Sequence, residues 1–253
     1  MTGAMGLIAS YRSRRPGTGL GQMLFFEFMR LLCAILLLVL WRYRVFGRAR
    51  VPRSGALLVV ANHQSYLDSP AIGVALGPRH TESVAREGLF RVPLLAPLIR
   101  RLYAFPVRED GGGDTRAIKE TLARLDAGRA VIIFPEGSRT HDGSVEAFKR
   151  GAAVIVKRSR CPVLPVAIEG AYDAWPRGRK LPKVLGQRVS VAIGEPIEHD
   201  ELMRDGADAA LERLRGEVEA LRLGLRERMR RASGGAHPPP GPGDRGAGTN
   251  AGA

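Results

Sequence analysis

The chain predicts an α/β domain: a mostly parallel central sheet flanked by helices, preceded by an N-terminal membrane-associated helical segment. Three observations carry this. Several short runs are apolar at every position, the mark of strands covered on both faces. Stretches of helical pattern separate them, the alternation that builds parallel sheets. Ahead of both lies an apolar segment too long for a strand.

In chain order, residues 1–22 are Gly-, Ser- and Arg-rich and are expected to be a flexible basic N-terminus. Residues 23–50 are expected to be a membrane-anchoring helical segment. The unbroken apolar core of that segment, 31–41, has eleven residues. As a helix it covers ~16 Å, about half of a ~30 Å hydrocarbon layer. Extension back to Met23 reaches spanning length but includes Glu27 and Arg30, placed i,i+3 for pairing on one helix face. The segment therefore reads as spanning, re-entrant or interfacial, with a buried core helix as the alternative. Arg42, Arg44, Arg48 and Arg50 follow it without a small-residue cleavage site, which disfavours a signal peptide. Arg12, Arg14 and Arg15 precede it, so flanking charge gives no orientation.

Residues 51–231 are expected to form the α/β domain. Strands are predicted at 56–62 (ALLVVAN), within SVAREGL, and at 130–134, 163–168 and 189–193. Helices are predicted at 69–76, 114–128 and 147–159. A C-terminal amphipathic helix at 201–231 repeats Leu211, Leu214, Val218, Leu221 and Leu225 at helical spacing. Its Arg-rich end (Arg222, Arg226, Arg228, Arg230, Arg231) is either a solvated face or a contact for anionic lipid. Residues 232–253, mostly Gly, Pro and Ala, are expected to be a disordered tail.

With 253 residues, 45% of them hydrophobic and 25% charged, the composition excludes a wholly disordered chain, a collagen and a multi-span membrane protein. The net charge of +14 attracts anions: a phosphorylated substrate, an anionic membrane or nucleic acid. Of the 39 basic residues 34 are Arg, which with the abundant Ala and Gly fits a GC-rich genome as well as a binding role. The basic residues show no aromatic interleaving, so no nucleic-acid partner is expected. Two cysteines, Cys33 and Cys161, support neither a disulfide framework nor a metal site and point to a reducing compartment.

Two segments carry chemistry-bearing residues, each directly after an apolar strand. The first is Asn62-His63-Gln64-Ser65-Tyr66-Leu67-Asp68. A carboxylate beside an imidazole fixes its tautomer and stabilises the imidazolium formed in general-base catalysis. Five residues along a helix leave two side chains about 140° apart, so His63 and Asp68 meet only across a turn between strand and helix. Ser69-Pro70 fits the first turn of that helix. The plainer readings are a helix cap for Asp68 or Ser69 and a satisfied core histidine. Ser65 near His63 also admits an esterase, without a GxSxG setting. The second segment is Phe134-Pro135-Glu136-Gly137-Ser138-Arg139-Thr140. A strand end opening into a Gly-containing loop is where α/β folds place ligands. Arg139 has the planar donors suited to phosphate, Gly137 permits close backbone approach, and Glu136 is placed to position a hydroxyl or hold Arg139.

Together, about seventy residues apart, the two segments resemble the glycerolipid acyltransferase family, in particular 1-acyl-sn-glycerol-3-phosphate acyltransferases. Asn62-His63 with Asp68 resembles the first block, NHxxxxD. Phe134 to Thr140 resembles the third, FPEGTRS, with Ser138 for Thr and Thr140 for Ser. Arg86-Glu87-Gly88-Leu89-Phe90 with Pro93 resembles the start of the second block, and Phe105-Pro106-Val107-Arg108 its end. Phe148-Lys149-Arg150-Gly151 resembles the stretch after the third block, and 163–168 the fourth. The second block departs from the family: Arg86 stands where Lys is common, and the Gly and Asp of its usual ending are missing.

The resemblance implies transfer of a fatty acyl group from acyl-CoA or acyl-acyl carrier protein to a lysophospholipid hydroxyl. It implies His63 as base and Asp68 as its orienting partner. Arg139 is expected on the acceptor phosphate, assisted by Arg86 or Arg108, with Asn62, Glu136, Gly137 and Ser138 shaping the site. Backbone N–H groups at the start of the following helix are expected to hold the oxyanion. No metal and no cofactor are implied, and the expected location is the cytoplasmic face of an inner membrane. Phosphatidate is the first expected product; another lysophospholipid or a lyso amino-acid lipid is the alternative acceptor. A non-catalytic binder of anionic membranes is the remaining reading.

Overall fold

The computed structural model describes residues 18–77, 79–107 and 115–244. The expected flexibility of 1–17 and disorder of 245–253 lie outside them, as does Arg108.

Helix α1 (Leu20–Trp41) leads into β1 (Arg44–Phe46). There follow β2 (Leu57–Ala61), α2 (Asp68–Ala75), β3 (Thr81–Arg86), α3 (Leu95–Arg101) and β4 (Ala104–Val107). Next come α4 (Thr115–Asp126), β5 (Ala130–Ile133), α5 (Arg150–Ser159), β6 (Val163–Glu169) and α6 (Ala171–Ala174). The chain finishes with β7 (Ser190–Ile193), α7 (His199–Leu202) and α8 (Ala207–Arg231). The seven strands form one sheet in the order β1-β7-β6-β2-β5-β3-β4. All pairings are parallel except β6 with β7.

Strand β2 shows why the apolar runs read as they do. Its side chains alternate across the sheet, and each of its five residues is fully buried. Leu57, Val59 and Ala61 pack with Ile72 and Ala75 of α2 and with Leu37 and Trp41 of α1. Leu58 and Val60 pack with Leu125 of α4, Val156 of α5, and Leu214 and Val218 of α8. At ~1.5–3 kcal/mol for each large aliphatic side chain, this layer dominates the stability of the domain.

Helix α1 is only partly inside this core. Cys33, Ala34, Leu37, Leu40 and Trp41 pack on the domain, and Phe26 lies 4.2 Å from the His80 ring. Glu27 pairs with Arg30 at 2.7 Å, as their spacing predicts. Leu24, Phe28, Leu31, Ile35, Leu38 and Val39 are exposed on the other side. By length and composition α1 is able to cross a membrane.

Four features differ from expectation. Residues 44–50 belong to the sheet domain, because β1 pairs with β7. Strand β4 contains Pro106, tolerated because β4 is an edge strand. Gly206, at φ +90, breaks the long C-terminal helix into α7 and α8. Residues 233–244 fold back along α8 instead of trailing from it: Arg226 and Arg230 hold Asp244 at 2.6 and 2.7 Å. They also donate to the carbonyls of Pro239 and Pro238, both at 2.9 Å.

Candidate active site

The parallel strands β2, β5, β6 and β3 release their chains at one end of the sheet, and the two chemistry-bearing segments meet there. Asn62 sets the position of the first. Its side chain donates to the Ile168 carbonyl at 2.9 Å and accepts from the Ile168 N–H at 2.8 Å, fastening the end of β2 to β6. The chain then turns and brings Asp68 back beneath His63. One oxygen of Asp68, Oδ2, lies 2.7 Å from His63 Nδ1 and accepts the N–H groups of Gln64 and Ser65 at 2.6 and 2.7 Å. Asp68 thus caps the turn and orients the imidazole at once. Accepting Nδ1–H leaves Nε2 as the ring's free acceptor. The ring stacks on Phe134, centroids 4.2 Å apart and planes 18° apart, and its side chain is 23% exposed. Burial pushes the Asp68 carboxyl up, opposed by the His63 hydrogen bond and by the two backbone donors.

The second segment reaches His63 through the backbone. Glu136 is buried; its Oε1 accepts the His63 N–H at 2.7 Å and its Oε2 the Glu146 N–H at 3.3 Å. Thr140 N–H donates to the His63 carbonyl at 2.8 Å. Both backbone groups of His63 are therefore gripped by the loop after β5. Burial holds the Glu136 carboxyl well above its ordinary range, against the pull of those two N–H donors. Among the described residues no ion pair joins Glu136 to Arg139. Gly137 adopts φ +69, a left-handed conformation that favours glycine; the end of the Lys149 side chain lies where a Cβ would sit, 2.7 Å away at Nζ, and would have to move. Ser138 lies in the same turn.

Arg139 is half-buried in this loop. Its guanidinium lies over the Tyr66 ring at 3.8 Å from the centroid, within the segment that joins His63 to Asp68. Its Nη1 is buried with no hydrogen-bond partner among the described residues. A desolvated cationic donor without an acceptor is unfavourable until an anion fills the place.

The structure thus brings together Asn62, His63, Asp68, Glu136, Gly137, Ser138 and Arg139. Arg86 stands apart at the end of β3, with β5 between it and β2. Ser65 is no nucleophile: its hydroxyl donates to the Trp175 carbonyl at 3.0 Å. The expected oxyanion donors are largely committed as well. The N–H groups of Gln64 and Ser65 go to Asp68, that of Leu67 to Ser65 Oγ and that of Asp68 to the Ser65 carbonyl.

Sequence reasoning missed Gln64 and what stands behind it. Gln64 Nε2 donates to the Gly143 carbonyl at 2.9 Å and to Glu169 at 3.2 Å. Its Oε1 accepts the Tyr172 N–H at 3.2 Å. Glu169 is fully buried and ion-paired with Arg222 and Arg226 of α8. The signal was an acidic residue closing an otherwise apolar strand, with arginines four apart on a helix that packs on it. Among the described residues no group of three or more His, Cys, Asp and Glu side chains is arranged to hold a metal.

A His–Asp pair at the end of a buried parallel strand, gripped by a basic glycine loop, is the equipment of an enzyme that works by general-base catalysis. Residues 42–169, just over half of the chain, match the family model described as Acyltransferase, and the chain belongs to that family. It is 27% identical over 184 residues to the 1-acyl-sn-glycerol-3-phosphate acyltransferase of Bacillus subtilis, covering 73% of this chain and 86% of that protein. It is 36% identical over 178 residues to a lyso-ornithine lipid O-acyltransferase of Pseudomonas aeruginosa, covering 68% of this chain and 65% of that one. The crystal structure of the 1-acyl-sn-glycerophosphate (LPA) acyltransferase PlsC from Thermotoga maritima superposes with a TM-score of 0.62 at 28% identity, over 77% of this chain and 80% of that one. The non-catalytic reading gives way to an enzyme.

Proposed function

We propose that this acyltransferase moves a fatty acyl group from acyl-CoA or acyl-acyl carrier protein to the sn-2 hydroxyl of 1-acyl-glycerol-3-phosphate, giving phosphatidate. The observation that carries the reading is the oriented His63–Asp68 pair beside the unsatisfied guanidinium of Arg139. His63 Nε2 takes the proton of the acceptor hydroxyl as its oxygen attacks the thioester carbonyl. Asp68 stabilises the imidazolium. As the tetrahedral intermediate collapses, the C–S bond breaks and the imidazolium returns the proton to the leaving thiolate. No cofactor is needed beyond the donor. Arg139 receives the acceptor phosphate, with Arg86 or Arg108 assisting. Glu136 acts through His63 as a positioning residue.

The exposed apolar side of α1 supports attachment to a membrane, on the cytoplasmic face of an inner membrane where the donors are found. A lyso amino-acid lipid is the second acceptor reading. It is favoured by the 36% identity to the Pseudomonas enzyme and by the departures of the second block, Arg86 in place of Lys and an ending without its usual Gly and Asp. The test is transfer of labelled acyl groups to a panel of lysolipids, lysophosphatidate first, with His63→Ala and Arg139→Ala alongside. Phosphatidate made by the wild type and lost with His63→Ala supports the reading. Transfer to lyso-ornithine lipid alone moves the acceptor; no transfer from either donor by folded, membrane-bound protein sinks it.

A further inference from the structure

The arginines of α8 point two ways. Arg222, Arg226 and Arg230, spaced by four, turn inward and are matched by Glu219, Glu169 and Asp244. Arg228 lies two residues past Arg226, about 200° around the helix, and Arg231 follows on its side. These two face the starts of β1 and β7 at the sheet edge, where Arg42, Arg44 and Arg188 converge on them around a cavity of about 540 Å³.

The charge there is almost uncompensated. Among the described residues, the one carboxylate in ion-pair reach of the five is Glu227, 3.6 Å from Arg231. Like charges gathered around one cavity repel, and an entering anion relieves the repulsion. Two of the five are held in place: Arg228 lies over the Phe46 ring at 5.4 Å, and Arg188 Nη1 donates to the Ala232 carbonyl at 3.3 Å. The planar forks of arginine suit a phosphate ester better than a point charge does.

The cavity also has a defined neighbour. Arg42 ends α1 in the left-handed region, at φ 47, directly after Trp41. The cluster therefore starts where the exposed apolar face of α1 stops, the level at which lipid phosphates meet an apolar helix. It is separated from β2 by β7 and β6, so it is not the site around His63.

We propose that this cavity binds a phosphate-ester anion, supplied by the headgroup of an anionic phospholipid. The inference is independent of the acyl-transfer reading, because its test needs no turnover. The full chain is floated with phosphatidylcholine vesicles, with and without phosphatidylglycerol. The triple variant Arg44→Gln, Arg228→Gln, Arg231→Gln is compared with Arg53→Gln, Arg158→Gln, Arg204→Gln. The latter removes three exposed arginines elsewhere and lowers net charge equally. The cavity variant is expected to lose roughly a hundredfold in partition to anionic vesicles, with three arginines near the surface each counted at the usual strength. The control loses much less, and binding to phosphatidylcholine alone is unchanged in both. Circular dichroism checks that each variant folds. Equal loss in the two variants, or loss in neither, overturns the lipid assignment. In a second arm, adenosine 3′,5′-bisphosphate is the soluble probe. If it stabilises the wild type and not the cavity variant, while both float alike, the phosphate chemistry stands and the lipid assignment is overturned.

Discussion

The two halves of the active site are held in opposite ways. Around His63 every group but the reactive Nε2 has a fixed partner: Nδ1 on Asp68, N–H on Glu136, carbonyl on Thr140, ring on Phe134. Around the Arg139 guanidinium, among the described residues, the one grip is a stack on Tyr66, and one buried N–H is left open. A base must meet its proton within hydrogen-bond reach, so its position is set before the substrate arrives. An anion-binding guanidinium gains its last partner from the ligand. Under the proposed function the difference separates a half built for rate from a half built for recognition, and mutation can test that division.

The largest effect is expected from His63→Ala, which lowers kcat by ~10²–10⁴ and leaves thermal stability almost unchanged. A stopped assay beside a melting curve checks both. Next is Glu136→Ala. It strips two backbone N–H groups of their acceptor, costing ~1–3 kcal/mol of stability. It should depress kcat with little change in KM, with partial rescue in Glu136→Gln; a pure KM effect would mean that Glu136 touches substrate.

Arg139→Ala should do the reverse. It removes a hydrogen bond to a charged group, typically ~1.5–3 kcal/mol, and so raises KM for a phosphate-bearing acceptor by roughly ten- to a hundredfold. Parallel assays with monoacylglycerol, which lacks the phosphate, should show no such penalty; an equal loss there would merge the two halves.

A smaller effect is tied to pH. The folded Glu136 carboxyl is raised above its ordinary value of 4.5, so the folded state binds the proton more tightly than the unfolded chain does. Its contribution to stability is complete below pH 4.5 and is lost as pH rises through the raised value. Wild type should therefore gain stability relative to Glu136→Gln as pH falls toward 4.5, measured by denaturant unfolding at several pH values.

The smallest effect is expected at Asp244, which ends the chain of contacts from Gln64 through Glu169 and Arg226. Arg230 and Arg226 pull its carboxyl down, so its contribution is present above its ordinary value of 3.8 and fades as pH falls below it. The side chain is one-third exposed, so Asp244→Asn should cost about 1 kcal/mol or less at neutral pH. A kcat change larger than that stability loss explains would extend the support of His63 as far as the end of the described chain.

The sheet was legible wherever a strand is apolar throughout, as in 57–61, 130–133 and 163–168. The three-residue β1 and the Pro-containing β4 are edge strands too short to leave a pattern. The His63–Asp68 pair was legible because both residues lie in one short turn. The role of Glu136 was not, because it follows from register: Val60 opposite Ile133 sets the exits of β2 and β5 side by side. The inward arginines of α8 were read as a solvated or lipid-facing cluster, since their partner Glu169 lies more than fifty residues away in sequence.

Only Arg42 and Tyr43 separate α1 from β1, and neither forms a hinge. Trp41 Nε1 donates to the Lys183 carbonyl at 2.7 Å, and the Tyr43 hydroxyl donates to the Ala71 carbonyl. Helix and sheet tilt as one body. Whatever surface receives the outward side of α1 thereby fixes the height and angle at which His63 rides above it. That geometry is a dimension written in helix length: one residue inserted at the joint turns the apolar side by about 100° against the sheet and re-aims the cleft without altering a residue in it.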